Sequence, residues 1–156
     1  MLNGLQADND DPLWMQRALE QAWAASTVGE IPVGAVLVSG GHLLAEAHNR
    51  MRTTGDPTAH AELVALRQAA ERTGSGLLLD ATMYVTLEPC AMCAGALVLA
   101  RVARLVYAAP DPKSGMCGSL GNLVEDRRLN HRLAVSAGVL AKPAGDLLRA
   151  FFRARR

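Results

Sequence analysis

Two short stretches of the sequence carry side chains that can bind a metal ion and move a proton. A His-Ala-Glu run begins at His60, and a Pro-Cys-Ala-Met-Cys run ends at Cys93. His60, Cys90 and Cys93 supply one imidazole and two thiols. With one coordination position left for water, this is the donor set of a catalytic zinc site, because structural zinc sites are usually closed by a fourth protein ligand. Glu62 is then a spare carboxylate that can take a proton from water and return it to a ring nitrogen or a leaving group.

The spacing of the two cysteines predicts that a helix start presents them together. Cys90 and Cys93 are three residues apart and therefore share a helical face, and Pro89 suits the first helical position, where its missing N–H costs nothing. The free N–H groups of a helix start favour thiolates, which are the metal-binding form of cysteine. Two thiolates would balance the charge of the zinc ion and make a separate base such as Glu62 useful.

The Cys-x-x-Cys pair has other interpretations when it is taken alone. A dithiol redox pair or half of a structural zinc site is at least as common, and the upstream His60 and Glu62 favour the catalytic interpretation. A fourth ligand would turn the site into a structural one, and the candidates are Cys117, His42, His48 and His131. We expect Cys117 to be a small, inert residue in or near a loop. Glu88 fits a structural carboxylate equally well.

Length, charge and cysteine content narrow the class of protein. We predict one domain over residues 1–156, with residues 1–11 as a flexible leader, since 156 residues suffice for a core without disulfides. The net charge of +1 gives no overall signal for nucleic acid, although the C-terminal residues are basic. Three cysteines without a signal peptide or a membrane-spanning run predict a cytoplasmic protein with no membrane partner.

The elements that must position these residues follow from hydrophobic periodicity and turn signals. Strands alternating with helices predict an α/β sandwich, with helices on both faces of a central sheet. We expect the helix after Pro89 to be buried on every side, because it is apolar nearly all round. The predicted strands are 35–38, 42–48, 81–87, 104–109 and 132–136, and the predicted helices are 12–28, 60–73, 89–100, 123–128 and 140–156.

The joined motifs carry a resemblance to a known family. His-x-Glu followed by Pro-Cys-x-x-Cys is the signature of zinc-dependent nucleobase deaminases. From residue 14 to 156 the chain resembles the bacterial tRNA wobble-adenosine deaminases (TadA type) of the cytidine/deoxycytidylate deaminase superfamily. The stretches that carry this resemblance are 31–36, 49–50, 56–62, 86–90, 130–132 and 151–153.

The resemblance implies a fold, an assembly and a reaction. The fold would be cytidine-deaminase-like, a three-layer α-β-α sandwich with a central five-stranded mixed sheet, and the protein would be a homodimer with no organic cofactor. The reaction would convert adenosine to inosine at the wobble position of a tRNA anticodon stem-loop. His60, Cys90 and Cys93 would bind one zinc ion per subunit, and Glu62 would move protons as C6 of the purine is hydrolysed and ammonia leaves.

The resemblance also implies which residues contact the substrate. Asn49 would hydrogen-bond the flipped base, and the other pocket residues would be Ile31, Ala61 and Leu87. The RNA backbone would meet Asp111, Lys113, Ser114, Phe151, Arg153 and Arg156. The two phenylalanines and the arginines of the last helix have a simpler explanation as well, since one phenylalanine packs on the core and arginines are favoured at a helix C-terminus.

Two other functions compete with the leading one. The first is deamination of a free base or nucleoside, such as guanine or cytosine, by the same hydrolytic centre. The second is a noncatalytic, zinc-stabilised RNA-binding module, which requires four protein ligands to the metal.

Overall fold

A single five-stranded mixed sheet forms the centre of the fold. The computed structural model describes the backbone of residues 2–156 and the side chains of residues 10–156. The strands are β1 (Gly34–Ser39), β2 (His42–His48), β3 (Ala81–Leu87), β4 (Arg104–Ala109) and β5 (Ala134–Ala137), in the spatial order β2-β1-β3-β4-β5. β1 pairs antiparallel with β2 and β3, whereas β3–β4 and β4–β5 are parallel pairs.

Helices cover both faces of the sheet. They are α1 (Leu2–Thr27), α2 (Met51–Thr54), α3 (Ala61–Thr73), α4 (Ala91–Leu99) and α5 (Ala141–Arg153). Side chains of α1 and α5 pack with Val36, Tyr84 and Val106 on one face. Side chains of α3 and α4 pack with Leu37 and Met83 on the other, as the twofold alternation of strands requires. The predicted three-layer sandwich is confirmed.

Small residues let α1 lie close to the sheet. Ala18, Ala22 and Ala25 are fully buried. A Cβ atom at Gly34 would overlap the carbonyl oxygen of Ala18 and lie 2.6 Å from the backbone nitrogen of Ala22. Glycine at the start of β1 therefore fixes how closely helix and strand approach, and β1 leads directly from the segment that holds Ile31.

The N-terminal prediction needs a correction. The first helix was predicted to begin at Asp11 and Pro12, but α1 begins at Leu2 and contains Pro12. Asp11 does not cap the helix, because its carboxylate accepts hydrogen bonds from the Arg104 guanidinium at 2.7 and 2.6 Å. The predicted flexible leader, residues 1–11, lies mostly outside the residues whose side chains are described, and its flexibility stays a prediction.

Three further differences have local causes. The predicted helix 123–128 does not form, because Asn122 and Asp126 hold turns through side-chain bonds to the N–H groups of Glu125 and Arg128. The last strand begins at residue 134 instead of 132. The loop after β2 contains the short helix α2, which was not predicted.

The helix after Pro89 is not buried on every side, so that expectation is wrong for the single chain. α4 lies in an outer layer, where Ala91 and Leu99 are exposed and 79% of Leu99 is accessible. Its inner face is the part that packs on the sheet. Among the described residues, no helix combines the length and the apolar character needed to cross a membrane.

Candidate active site

The three predicted metal donors meet where two helices begin. His60 and Cys90 are the N-cap residues of α3 and α4, both in extended backbone conformation, and Cys93 lies in the first turn of α4. The Nδ1 atom of His60 is 3.6 Å from the sulfur of Cys90 and 3.6 Å from the sulfur of Cys93. The ligand atoms of the three residues all lie within 4.8 Å of one another.

The donor set fits a tetrahedral zinc ion. Usual bond lengths of about 2.3 Å to sulfur and about 2.05 Å to nitrogen place tetrahedral sulfur and nitrogen ligands about 3.6 Å apart. Both observed sulfur–nitrogen distances have that value. The two sulfur–nitrogen pairs are therefore already at the spacing that a zinc ion requires.

No fourth protein ligand joins this group among the residues with described side chains. Three of the four candidates have other partners: the Cys117 sulfur lies 3.8 Å from the Pro89 carbonyl, His131 Nε2 lies 2.6 Å from the Val102 carbonyl, and His48 Nδ1 lies 2.9 Å from the Asn49 carbonyl. The fourth, His42, is not part of the donor group. The donor set leaves room for a non-protein ligand, which is typical of a catalytic site.

Hydrogen bonds within the group make the two thiols unequal. The Cys93 thiol, and after it His60, lower the pKa of Cys90 to about 3, although burial opposes this shift. The hydrogen bond to Cys90, together with burial, raises the pKa of Cys93. A metal ion binds cysteine as the thiolate, so a proton that the two thiols share would be released on metal binding.

Glu62 lies in the first turn of α3, two residues from His60, and only 3% of it is exposed. Burial raises the pKa of its carboxyl group, and a hydrogen bond from Cys93 opposes that shift. Glu62 lines the same cavity as His60 and Cys90 without belonging to the donor group. A buried carboxylate in this position can exchange a proton with a molecule in the cavity.

A cavity of about 200 Å³ lies against two of the metal donors, His60 and Cys90, and against Glu62. All four residues predicted to shape a base pocket line it, namely Ile31, Asn49, Ala61 and Leu87, and so do Asp111 and Ser114 from the loop after β4. Most of the wall is apolar, with a few polar groups near the donors. Such a composition is typical of pockets for small molecules.

Asn49 is fixed by its backbone and by its side-chain oxygen. It is 6% exposed, its N–H donates to the Val33 carbonyl at 3.0 Å, and its Oδ1 accepts the N–H of Met51 at 3.2 Å. Asn49 lines the cavity, and its Nδ2 group is the end of the amide that can donate a hydrogen bond there.

Comparison with known proteins identifies the family. The MafB19-like deaminase family matches residues 9–156. The tRNA-specific adenosine deaminase of Bacillus subtilis (strain 168) is 47% identical over 146 residues, which are 94% of this chain and 91% of that protein. The chain is a deaminase of the tRNA-specific adenosine deaminase family.

Solved structures agree with this assignment. A structure from a study of A-to-I editing by tRNA:A34 deaminases at the wobble position matches with a TM-score of 0.84 and 41% identity, over 86% of this chain and 98% of that chain. A guanine deaminase from Nitrosomonas europaea matches with a TM-score of 0.79 and 25% identity, over 90% of this chain and 83% of that chain. The cytidine-deaminase-like fold expected of the family is thereby confirmed.

The residues that the resemblance implies for RNA contact lie in two parts of this deaminase. Asp111 and Ser114 line the cavity, and Lys113 is exposed in the same loop. Arg153 and Arg156 are exposed near the end of α5. Phe151 is only 5% exposed, and the Arg155 guanidinium covers its ring at 3.5 Å from the centroid, so the core role suits it better.

Two buried glutamates hold the loops that border the cavity. Glu30 is fully buried and accepts the N–H of Arg52 at 2.9 Å, which fixes the start of α2. Glu88 is 2% exposed and accepts hydrogen bonds from the loop that contains Asp111. No sequence pattern pointed to Glu30. For Glu88 a structural role was one of two interpretations, and its contacts support that role.

Proposed function

We propose that this protein hydrolyses adenosine to inosine at the wobble position of a tRNA anticodon, with one zinc ion per subunit held by His60, Cys90 and Cys93. One observation carries the proposal: three metal donors lie together, and two of them, His60 and Cys90, line one cavity with the buried Glu62. The chain that builds this site belongs to the tRNA-specific adenosine deaminase family.

The reaction replaces an amino group by an oxygen atom. Zinc, when bound, would supply Lewis-acid activation of the attacking water. The water oxygen bonds to C6 of the purine, and the bond from C6 to the amino nitrogen breaks. Glu62 accepts a proton from the water and returns it, so that one water proton ends on N1 of inosine and the other leaves with ammonia.

The pocket would hold the base through its walls and one amide. Ile31 and Leu87 supply apolar surface, and the small side chain of Ala61 leaves space beside the metal donors. Asn49 would donate from Nδ2 to an acceptor on the flipped base, since its oxygen is already engaged by Met51. A base taken out of its stack is read in this way by enzymes that act on nucleobases.

The surrounding surface supports RNA as the substrate. Asp111, Lys113 and Ser114 lie in the loop at the cavity and would meet the anticodon backbone. Arg153 and Arg156 are exposed cations that would contact phosphates. The three cysteines are all free thiols, which agrees with a role in the cytoplasm, where tRNA is found.

A homodimer forms part of the proposal. The outer side of α4 offers apolar surface, and 79% of Leu99 is accessible in the single chain. A Leu99→Glu substitution would place a charge there. Light scattering is expected to give the mass of a dimer for the unsubstituted protein and of a monomer for the variant. The mass of a single chain for the unsubstituted protein would exclude this assembly.

An anticodon hairpin assay tests the function. The zinc-loaded protein is incubated with a stem-loop that carries adenosine at the wobble position, and the RNA is digested to nucleosides. We expect inosine, and only background inosine with the Glu62→Ala variant. An equal, background yield from both proteins would contradict the proposal.

Guanine is the second substrate to test, because a guanine deaminase matches the fold over 90% of this chain. Ammonia release from free guanine or cytosine, combined with no reaction on the hairpin, would favour deamination of a free base. We expect the opposite pattern.

A further inference from the structure

A single buried carboxylate collects the hydrogen bonds of an entire loop beside the cavity. Glu88 Oε1 accepts the N–H of Asp111 at 3.1 Å and the hydroxyl of Ser119. Glu88 Oε2 accepts the N–H groups of Cys117 and Ser119, both at 3.0 Å. Each oxygen therefore receives two donors, and all four belong to residues 111–119, which we call the pocket loop.

The pocket loop is also attached to the backbone around the metal donors. The N–H of Met116 donates to the Pro89 carbonyl at 2.9 Å, and Gly115 forms an antiparallel bridge with Cys90. A Cβ atom at Gly115 would overlap the Glu88 carboxylate. Loop and carboxylate thus pack so closely that only glycine fits between them.

The anchored loop forms part of the cavity wall. Asp111 and Ser114 line the cavity. The Asp111 carboxylate accepts the N–H groups of Lys113 at 3.1 Å and Ser114 at 3.2 Å, which forms a turn at this end of the loop. Since the N–H of Asp111 is itself bound by Glu88, the position of the wall depends on that carboxylate.

We propose that Glu88 is a positioning residue for substrate binding: it fixes the pocket loop as the wall that contacts the RNA around the target adenosine. The proposal rests on the proposed function for the identity of the substrate. Glu88 borders the cavity, but its oxygens are occupied by the loop donors, so it acts through Asp111 and Ser114. Loss of the anchor should weaken binding of the RNA and leave the chemical step nearly unchanged.

Glu88→Gln is the sharpest perturbation, because it keeps the shape of the side chain. Glutamine has one acceptor oxygen and one donor nitrogen, whereas every backbone partner of Glu88 is a donor. In either orientation the amide nitrogen faces at least one backbone N–H, and that hydrogen bond is lost. The matched control is Glu125→Gln, which removes the same charge from an exposed residue just after the pocket loop.

Three measurements are made on the zinc-loaded proteins: amide hydrogen exchange, zinc content, and KM and kcat on the hairpin. For Glu88→Gln we expect faster exchange in the pocket loop and a KM raised at least about 10-fold, the factor that matches one lost hydrogen bond to a charged group. Zinc content should stay the same and kcat should change by less than about 3-fold, because a mutation that removes binding common to the ground and transition states raises KM and leaves kcat unchanged. Glu125→Gln should match the unsubstituted protein in all three.

Ser119→Ala provides a milder variant in case Glu88→Gln folds poorly. It removes only the hydroxyl donor to Oε1 and leaves the three backbone donors in place. We expect a smaller rise in KM, on the order of 3-fold, and the double variant should show less than the product of the two effects, since both act on one network.

Several outcomes would overturn the inference. One is that Glu88→Gln behaves like Glu125→Gln in KM and in loop exchange. Another is that it lowers kcat and zinc content while KM stays unchanged, which would assign Glu88 to the metal donors. If the unsubstituted protein makes no inosine, the proposed function fails. In that case amide hydrogen exchange still tests whether Glu88 holds the pocket loop in place. Exchange rates that Glu88→Gln leaves unchanged would refute that role.

Discussion

The ion pair between Asp11 and Arg104 offers a quantitative test of the fold. Arg104 donates to both oxygens of Asp11, at 2.7 and 2.6 Å, and to the Ser136 hydroxyl at 2.9 Å. The Tyr84 hydroxyl donates to Asp11 at 2.8 Å. The Asp11 and Arg104 side chains are only 7% and 16% exposed. Together these four residues join α1 to β3, β4 and β5, and none of them lines the cavity described above.

The perturbation is Arg104→Met, which removes the cation and retains an apolar side chain. Asp11 would then be a buried carboxylate with Tyr84 as its remaining described donor. Breaking a buried pair by removal of one partner costs about 3–5 kcal/mol in the free energy of unfolding. In a domain of this size, 1 kcal/mol corresponds to about 2–4 °C, so the melting temperature should fall by roughly 6–20 °C.

Arg17→Met is the matched control. Arg17 and Glu46 form an ion pair of the same length, 2.6 Å, but their side chains are 45% and 31% exposed. An exposed pair contributes about 0–1 kcal/mol. Urea unfolding of the zinc-loaded proteins gives both free energies. Equal, small losses for the two variants would refute the argument that burial, and not the pair itself, sets the cost.

Three other substitutions test the site. Cys90→Ala should abolish tight zinc binding and activity, because it removes one of three donors; retention of both in metal analysis and the hairpin assay would require a different site. Gly115→Ala should lower the melting temperature and raise KM, since its Cβ atom would overlap Glu88. A melting temperature and a KM equal to those of the unsubstituted protein would contradict this. Glu30→Met should cost about 1–3 kcal/mol in urea unfolding, because it removes both oxygens that accept the N–H of Arg52 and leaves that donor unpaired; a loss below about 0.5 kcal/mol, the scatter of neutral surface changes, would count against it.

The grouping of the three metal donors could be predicted because it depends on short-range patterns. Cys90 and Cys93 share a helix start, and His60 and Glu62 lie two residues apart at another. Strands with clear turn signals, such as β2 and β3, were also predicted with the observed bounds. The local sequence alone contains enough information for these features.

Contacts between distant residues could not be predicted in this way. Asp11 looked like a helix cap, yet its partner Arg104 lies 93 residues away. The donors to Glu88 lie 23 to 31 residues further along the chain. In the sequence, such carboxylates look like ordinary polar residues, because only the folded chain brings their donors to them. The tertiary fold likewise decides which side of α4 is exposed.

The central claim is that Glu62 moves protons and does not hold the metal. The most direct measurement is the zinc content of the Glu62→Gln variant together with its rate of inosine formation on the hairpin. We predict about one zinc ion per chain, as three donors remain, and a rate lowered at least about 100-fold, the usual contribution of general acid–base catalysis. Loss of zinc, or a rate close to that of the unsubstituted protein, would contradict the account.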